Sequence, residues 1–293
     1  MRGGIGRLRR ASPRVDEVTS VLSLPPAAAA FDAVADRFDA RYGDWKSVAA
    51  QRRAVRAALL NAIPRGARVL EIGGGTGQDA DWLAARGREV LLTDASPSMV
   101  RIATHKLAGR GLPPPVVAPA ENIGAVLGRA TLPFDGAFSN FAALNCVRDL
   151  GAVRRALAPL VRPGGRMLIV IFGVCPPGEW IVELACGRPR AAFRRMSRDD
   201  VPARLGGQDF TVRYHRAREM VKAFAPAFRL VRRRGIGVFV PPSAAEPWIS
   251  SHPRLLAALE GIDRVVARPL ATLGDHVLYE FERTDTPATS GVS

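Results

Sequence analysis

The stretch VLEIGGGTGQDADWLAARG, residues 69–87, constrains the fold more than any other part of the chain. A short apolar run ends in a carboxylate at Glu71, glycine fills every position from Gly73 to Gly77 except Thr76, and helix-like spacing follows. Glycine lets a backbone come close to a ligand, and a helix N-terminus offers unpaired N–H groups. A strand that ends in glycines and feeds a helix therefore marks the site of a nucleotide-like molecule.

The surrounding sequence repeats that grammar. RVLEI, a helix through Trp82 and Leu83, EVLLTD, a helix from Met99 to Leu107, PVVAPAEN, FDGAFSN, a helix from Leu150 to Leu160 and RMLIVIF follow one another at the lengths of strand–helix–strand units. Such alternation predicts a mostly parallel, doubly wound sheet, whose ligands sit beyond the carboxyl ends of the strands. Glu71 and Asp94 both fall at strand ends there.

Ahead of this region, Phe31, Val34, Phe38 and Tyr42 form a helical stripe, and a second helix is expected from Trp45 to Ile63, stopped by Pro64. Residues 1–24 are expected to be a flexible leader, 25–64 a helical cover, and 65–283 the sheet domain, with 284–293 a disordered tail. Two insertions, near 173–215 and 241–274, are too long for simple connections, and long insertions commonly carry function. The second includes an amphipathic helix bearing Leu255, Leu256, Leu259, Ile262, Val265 and Val266.

At 293 residues and 47% hydrophobic, the chain can bury a substantial core without disulfides. Its cysteines, Cys146, Cys175 and Cys186, have no C-x-x-C spacing, so neither a disulfide framework nor a metal site is indicated. No signal-peptide core and no stretch of membrane-spanning length stands out, so a cytoplasmic protein is expected. The net charge of +15 invites a nucleic-acid reading. Yet the lysines are only Lys46, Lys106 and Lys222, and abundant Arg beside Ala, Gly and Pro is what G+C-rich codons supply. A nucleic-acid partner is therefore not expected, and the sequence leaves oligomeric state open.

Two cofactors compete for the glycine loop. The nicotinamide fingerprint can be placed on Gly75, Gly77 and Ala80 with Asp94 as the ribose acid, so an NAD(P)-dependent oxidoreductase stays open on spacing alone. Against it stands Glu71, because a pyrophosphate gains nothing from an extra carboxylate nearby. S-adenosylmethionine carries an ammonium and a sulfonium and no phosphate. Residues 67–172 resemble the class I S-adenosylmethionine-dependent methyltransferases, in particular the small-molecule, ubiquinone/menaquinone-methyltransferase-like branch with a type 11 methyltransferase domain. VLEIGGGTG, LTDASPSMV, AEN, FDGAFSNFAAL and VRPGGRMLIV carry the resemblance, in order.

The resemblance implies a Rossmann-like α/β fold with a seven-stranded sheet whose last strand, HVLYEFER, is antiparallel. The N-terminal helices and the two insertions would form a substrate cover. It implies S-adenosylmethionine as cofactor, with Gly73, Gly74, Gly75 and Gly77 under the methionine part and Glu71 near its ammonium. Asp94 would bond the ribose hydroxyls with Ala95 beside it, and Ser96 would cap the next helix. Pro119 stands where the family shows an acid, so Ala120 and Glu121 or Asn122 fall to the adenine. Asn140 would lie near the transferring methyl. The absence of a Pro-Pro-aromatic run after Asn140 disfavours base-amino methylation, and Cys146 and Cys175 read as structural thiols.

For catalysis, Tyr214 and His215 lie where substrates bind in this fold. His215 is a candidate general base near neutral pH. His105, His252 and His276 read as surface or core residues. Trp180, Trp248, Pro241 and Pro242 suggest apolar covers, and Arg188, Arg190, Arg194 and Arg195 leave room for an acidic substrate group. The expected activity is methyl transfer to a small-molecule acceptor. An RNA-associated or non-catalytic S-adenosylmethionine-binding protein is the further alternative.

Overall fold

A computed structural model describes residues 24–128 and 133–285. The expected leader and tail therefore lie outside the described residues, apart from residues 24, 284 and 285. The strands are β1 (Arg68–Ile72), β2 (Glu89–Asp94), β3 (Val116–Val117), β4 (Phe134–Ser139), β5 (Val161–Phe172), β6 (Val201–Leu205), β7 (Gln208–Val212), β8 (Phe228–Ile236) and β9 (His276–Arg283). Seven of them form one sheet in the order β3-β2-β1-β4-β5-β9-β8, while β6 and β7 pair as a separate hairpin. β1 to β5 are mutually parallel, and β9 runs antiparallel between β5 and β8. The last strand is thus antiparallel, as expected, and sits one place in from the edge.

The sheet is apolar on both faces, as a mostly parallel sheet covered by helices must be. Side chains alternate along each strand, so Leu70, Ile72, Met167, Ile169, Ile171, Tyr279 and Phe281 point to one face and Val69, Leu168, Val170 and Leu278 to the other. The first face is closed by α7 (Leu150–Leu157) and α10 (Ala217–Phe224) through Leu150, Val153, Leu157, Met220 and Phe224. The second is closed by α3 (Lys46–Ala62), α4 (Gln78–Ala84) and α5 (Pro97–Leu107), through Val55, Leu59, Leu83 and Leu107. Each such fully buried side chain contributes about 1.5–3 kcal/mol.

The N-terminal stripe forms two helices, α1 (Pro26–Asp32) and α2 (Ala35–Tyr42). The chain breaks between them at Val34, whose ψ is 1°. α3 stops at Ala62, just before Ile63 and Pro64, since a proline ring disfavours helical geometry in the residue ahead of it. Ser96 caps α5 as expected, its hydroxyl accepting from the Met99 amide at 3.1 Å. After β5 come α8 (Pro177–Ala185), α9 (Pro189–Phe193), a 3-10 turn and the β6–β7 hairpin. α11 (Pro253–Val266) lies between β8 and β9. Of the apolar residues on α11, only Leu256 is buried, and Val265 is 78% exposed.

Candidate active site

A cavity of about 360 Å³ opens at the carboxyl edge of the parallel strands. One wall is the glycine loop between β1 and α4. Gly73, Gly75 and Gly77 all have positive φ (66°, 55° and 81°), which L side chains rarely adopt. A Cβ on Gly73 would come within 2.5 Å of Ala143, whereas one on Gly75 would meet no protein atom within 4 Å and would take up open space. The loop is therefore tight against the protein behind it and clear toward a ligand.

Glu71, one residue before the end of β1, is buried, and its Oε2 has no hydrogen-bond partner among the described residues. Burial, and then the neighbouring charge of Asp79, push its carboxyl well above the ordinary range against the pull of Arg52. A carboxylate left in this condition is costly unless a donor meets it. Asp94 ends β2, where its Oδ2 accepts from the Gly75 amide at 2.8 Å and its Oδ1 from the Ser96 amide at 2.8 Å. Burial raises its carboxyl despite those bonds. Ala95, Ala118, Pro119, Ala120 and Glu121 continue the wall. Asn122 is not part of it.

Among the described residues that line the cavity, five carboxylates (Glu71, Asp79, Asp94, Glu121 and Asp275) face a single guanidinium, Arg52. A pyrophosphate is repelled by such a lining, and a cationic ligand is welcomed. The residues fit S-adenosylmethionine: Glu71 offers its ammonium a buried acceptor that lacks a donor, Gly75 leaves space, and Asp94 presents a strand-end carboxylate.

The opposite wall is apolar and aromatic, built from Phe31, Phe38, Tyr42, Val48, Phe141 and Phe172. Phe141 and Ala142 have positive φ (45° and 64°), costing about 1–3 kcal/mol each, and this turn after β4 presents the Phe141 ring to the cavity. The Arg52 guanidinium lies 4.6 Å from that ring and 3.2 Å from Asp79. Asn140 donates to Asp79 at 2.7 Å and accepts from the Phe141 amide at 2.8 Å. It thus shapes the turn with its own side chain already engaged.

The N-terminal helices are fastened over the site by two carboxylates. Asp32 accepts from the Ser96 and Ser98 hydroxyls and the Ser98 amide at 2.7–3.0 Å. Asp39 accepts from Thr76 at 2.6 Å, Gln78 at 2.9 Å and Lys106 at 2.5 Å. Burial pushes Asp39 up, but these partners outweigh it and hold the carboxyl below its ordinary value. Phe31 and Phe38, each one residue before its Asp, thereby close the cavity.

Tyr214 and His215 are not in the cavity wall. Tyr214 packs behind Phe172, ring centroids 5.9 Å apart. His215 is 3% exposed, and its Nε2 lies 3.1 Å from the Val147 carbonyl, a contact in which the ring donates. Burial, foremost, holds it below the ordinary imidazole range. The pair supports the wall from outside it.

The insertion arginines are taken up by the chain's own carboxylates. Arg188 pairs with Glu183, and Arg194 and Arg195 pair with Glu179. Arg190 is exposed. Neither Trp180 nor Trp248 reaches the cavity, and Trp248 is 55% exposed. Cys146 does line it, with its thiol pushed up to about 11 by burial. Cys175 does not.

The comparisons agree with this geometry. Residues 70–167 match the family described as "Methyltransferase domain". The ubiquinone/menaquinone biosynthesis C-methyltransferase UbiE of Bordetella parapertussis is 31% identical over 170 residues, which cover 51% of this chain and 60% of that protein. The chain thus spans less than two thirds of the length of that relative. Among solved structures, an S-adenosylmethionine-dependent methyltransferase of Listeria monocytogenes superposes with a TM-score of 0.55 at 13% identity, covering 78% of this chain and 96% of the other. The CcbJ methyltransferase of Streptomyces caelestis superposes with a TM-score of 0.51 at 17% identity, over 80% and 95% of the two chains. With its glycine cradle, its strand-end carboxylates and its β3-β2-β1-β4-β5-β9-β8 sheet, the chain is similar to the class I S-adenosylmethionine-dependent methyltransferases in fold, and its residues 70–167 match a methyltransferase domain.

Proposed function

We propose that this chain transfers a methyl group from S-adenosylmethionine to a small, largely apolar acceptor. The observation that carries the reading is the buried, unpartnered Glu71 carboxylate beside a glycine cradle and Asp94. S-adenosylmethionine supplies an activated methyl group on a sulfonium. The protein's part is to bind, orient and keep out water. Glu71 would hold the ammonium, Asp94 the ribose hydroxyls, and Ala120 and Glu121 the adenine edge. Phe31, Phe38, Tyr42, Phe141 and Phe172 would pack on the acceptor and exclude water. Alignment alone contributes up to about 7–11 kcal/mol in favourable cases. The quinone-biosynthesis names of the relatives suit an acceptor with an apolar ring. Among the described residues no helix is long and apolar enough to cross a membrane.

Binding measured side by side tests the reading. S-adenosylhomocysteine is expected to raise the melting temperature, because a ligand that binds only the folded state at about 100 times its Kd stabilises it by about 2.7 kcal/mol. NADH and a short RNA are expected to leave it unmoved at physiological salt. Stabilisation by NADH alone, or salt-resistant RNA binding, would replace this reading with one of the alternatives.

A further inference from the structure

His276 opens β9. Because β9 is antiparallel to β5, that residue pairs with Phe172 at the end of β5, on the edge where the cavity opens. Its ring stacks on Phe172 (4.9 Å, 28°) and meets Phe141 edge-on (5.8 Å, 86°). It is therefore part of the aromatic wall. On its Nδ1 side, Asp275 Oδ2 lies 3.2 Å away, at ion-pair distance though not aligned as a hydrogen bond. Its Nε2 has no partner among the described residues.

Asp275 is itself held from three directions. Gln51 donates to its Oδ2 at 3.0 Å, Arg195 donates to its Oδ1 at 2.8 Å, and Arg195 also donates to its backbone carbonyl at 2.7 Å. Burial works against the charge, but Arg195 keeps the carboxyl far below its ordinary range, so Asp275 is an anion. Glu179 pairs with Arg195 from behind, and the Arg52 and Arg195 guanidiniums lie over the Phe141 and Phe172 rings. A buried carboxylate is thus fixed beside one nitrogen of an imidazole whose other nitrogen is left without a protein partner in an acceptor-lined wall.

We propose that His276 is the general base of the methyl transfer and accepts the proton of an acceptor's phenolic or enolic hydroxyl, with Asp275 as the positioning residue that keeps the ring proton on Nδ1. The proposal rests on the methyl-transfer reading above. In the step, the acceptor oxygen forms a bond to the methyl carbon, and the sulfur–methyl bond breaks with its electron pair staying on sulfur. The hydroxyl proton moves to His276 Nε2, and Asp275 stabilises the imidazolium. The products are the methyl ether, S-adenosylhomocysteine and the protonated ring, which returns its proton to water. A phenolic hydroxyl, with a pKa of about 10, is close enough to imidazole for useful base assistance. The flat rings on either side of His276 suit an aromatic acceptor.

Imidazole nitrogen NMR on histidine-labelled protein saturated with S-adenosylhomocysteine tests this, the His276 signals being those lost in His276→Gln. Neutral His276 is expected to carry its proton on Nδ1. Saturating para-nitrophenol is expected to protonate Nε2 and to show phenolate absorbance below the free phenol's own pKa. His276→Gln should reduce that absorbance at least tenfold while leaving S-adenosylhomocysteine affinity within about twofold. Asp275→Asn should abolish the Nδ1–H preference; should that variant fail to fold, the wild-type tautomer and the phenol response decide the matter. A proton on Nε2 in the neutral ring, or no response of Nε2 to the phenol, overturns the proposal. Failure of the wild type to bind S-adenosylhomocysteine overturns the reading beneath it instead.

Discussion

Replacing Glu71 with Gln should move stability and ligand affinity in opposite directions. In the free protein, burial and Asp79 raise the Glu71 carboxyl well above its ordinary value of 4.5. The folded state therefore binds more protons at this site than the unfolded chain, and linkage makes stability fall as pH rises through that window. The loss begins near the ordinary value and is complete above the raised one. Its slope is at most about 1.4 kcal/mol per pH unit. Gln has the same shape and does not titrate. Glu71→Gln should match the wild type below the window, gain on it through the window and keep that gain above it.

For the ligand the sign reverses. An ammonium that meets Glu71 removes the penalty, and loss of a charge-assisted bond costs about 1.5–3 kcal/mol, or roughly 10- to 150-fold in affinity. Urea denaturation of both proteins across the pH series, with calorimetric titration of S-adenosylhomocysteine, reads both effects. Stability curves that run parallel at every pH, together with unchanged affinity, would refute the assignment of Glu71 as a buried, unpartnered carboxyl whose charge awaits a cation.

Three other variants probe the remaining parts of the site. Asp94→Ala should cost about 1.5–3 kcal/mol of S-adenosylhomocysteine binding with the circular dichroism spectrum unchanged, and intact affinity by calorimetry would remove Asp94 from the ribose site. Asp39→Asn loses the charged partner of Lys106, a part-exposed pair worth less than about 1 kcal/mol of stability. Stopped-flow release of the ligand should nevertheless be faster, and in the wild type release should quicken in acid as pH falls below 3.8 through the depressed value of Asp39. Arg195→Met leaves the buried Asp275 without its guanidinium and Glu179 with Arg194 alone, and denaturant unfolding should show a loss of about 3–5 kcal/mol.

The half of the cavity proposed for the cofactor was legible because its residues are close in sequence and their period carries the signal. Glu71, the glycines and Asp94 belong to two consecutive strand ends, and a parallel sheet with right-handed crossovers puts consecutive strand ends on one edge. Asp79 could have been read too, since it stands in the first turn of a helix that follows a glycine loop. So could the cover: Phe31-Asp32-Ala33 and Phe38-Asp39-Ala40 repeat at a spacing of seven, two helical turns, which sets both Phe–Asp pairs on one side of a helical segment. The stripe pointed to the aromatics. The carboxylates beside them do the fastening.

The half proposed for the acceptor was hidden for a different reason: its groups have no local pattern. Gln51 and Asp275 stand 224 positions apart and Arg195 and Asp275 stand 80 apart, and only the insertion of β9 between β5 and β8 brings them together. Strand alternation in HVLYEFER assigns Val277, Tyr279 and Phe281 to the core and gives no reason to set His276 apart. Tyr214 and His215 stand at the end of a long insertion, but position in the sequence does not distinguish a side chain that lines a cavity from one that props its wall. What separates His276 from His215 is the partner of the ring nitrogen. His215 spends Nε2 on the Val147 carbonyl, whereas His276 lines the cavity with a fixed anion beside Nδ1 and, among the described residues, no partner at Nε2. An imidazole can serve as a base only through a nitrogen that the protein has left unused, and that property is set by tertiary structure alone.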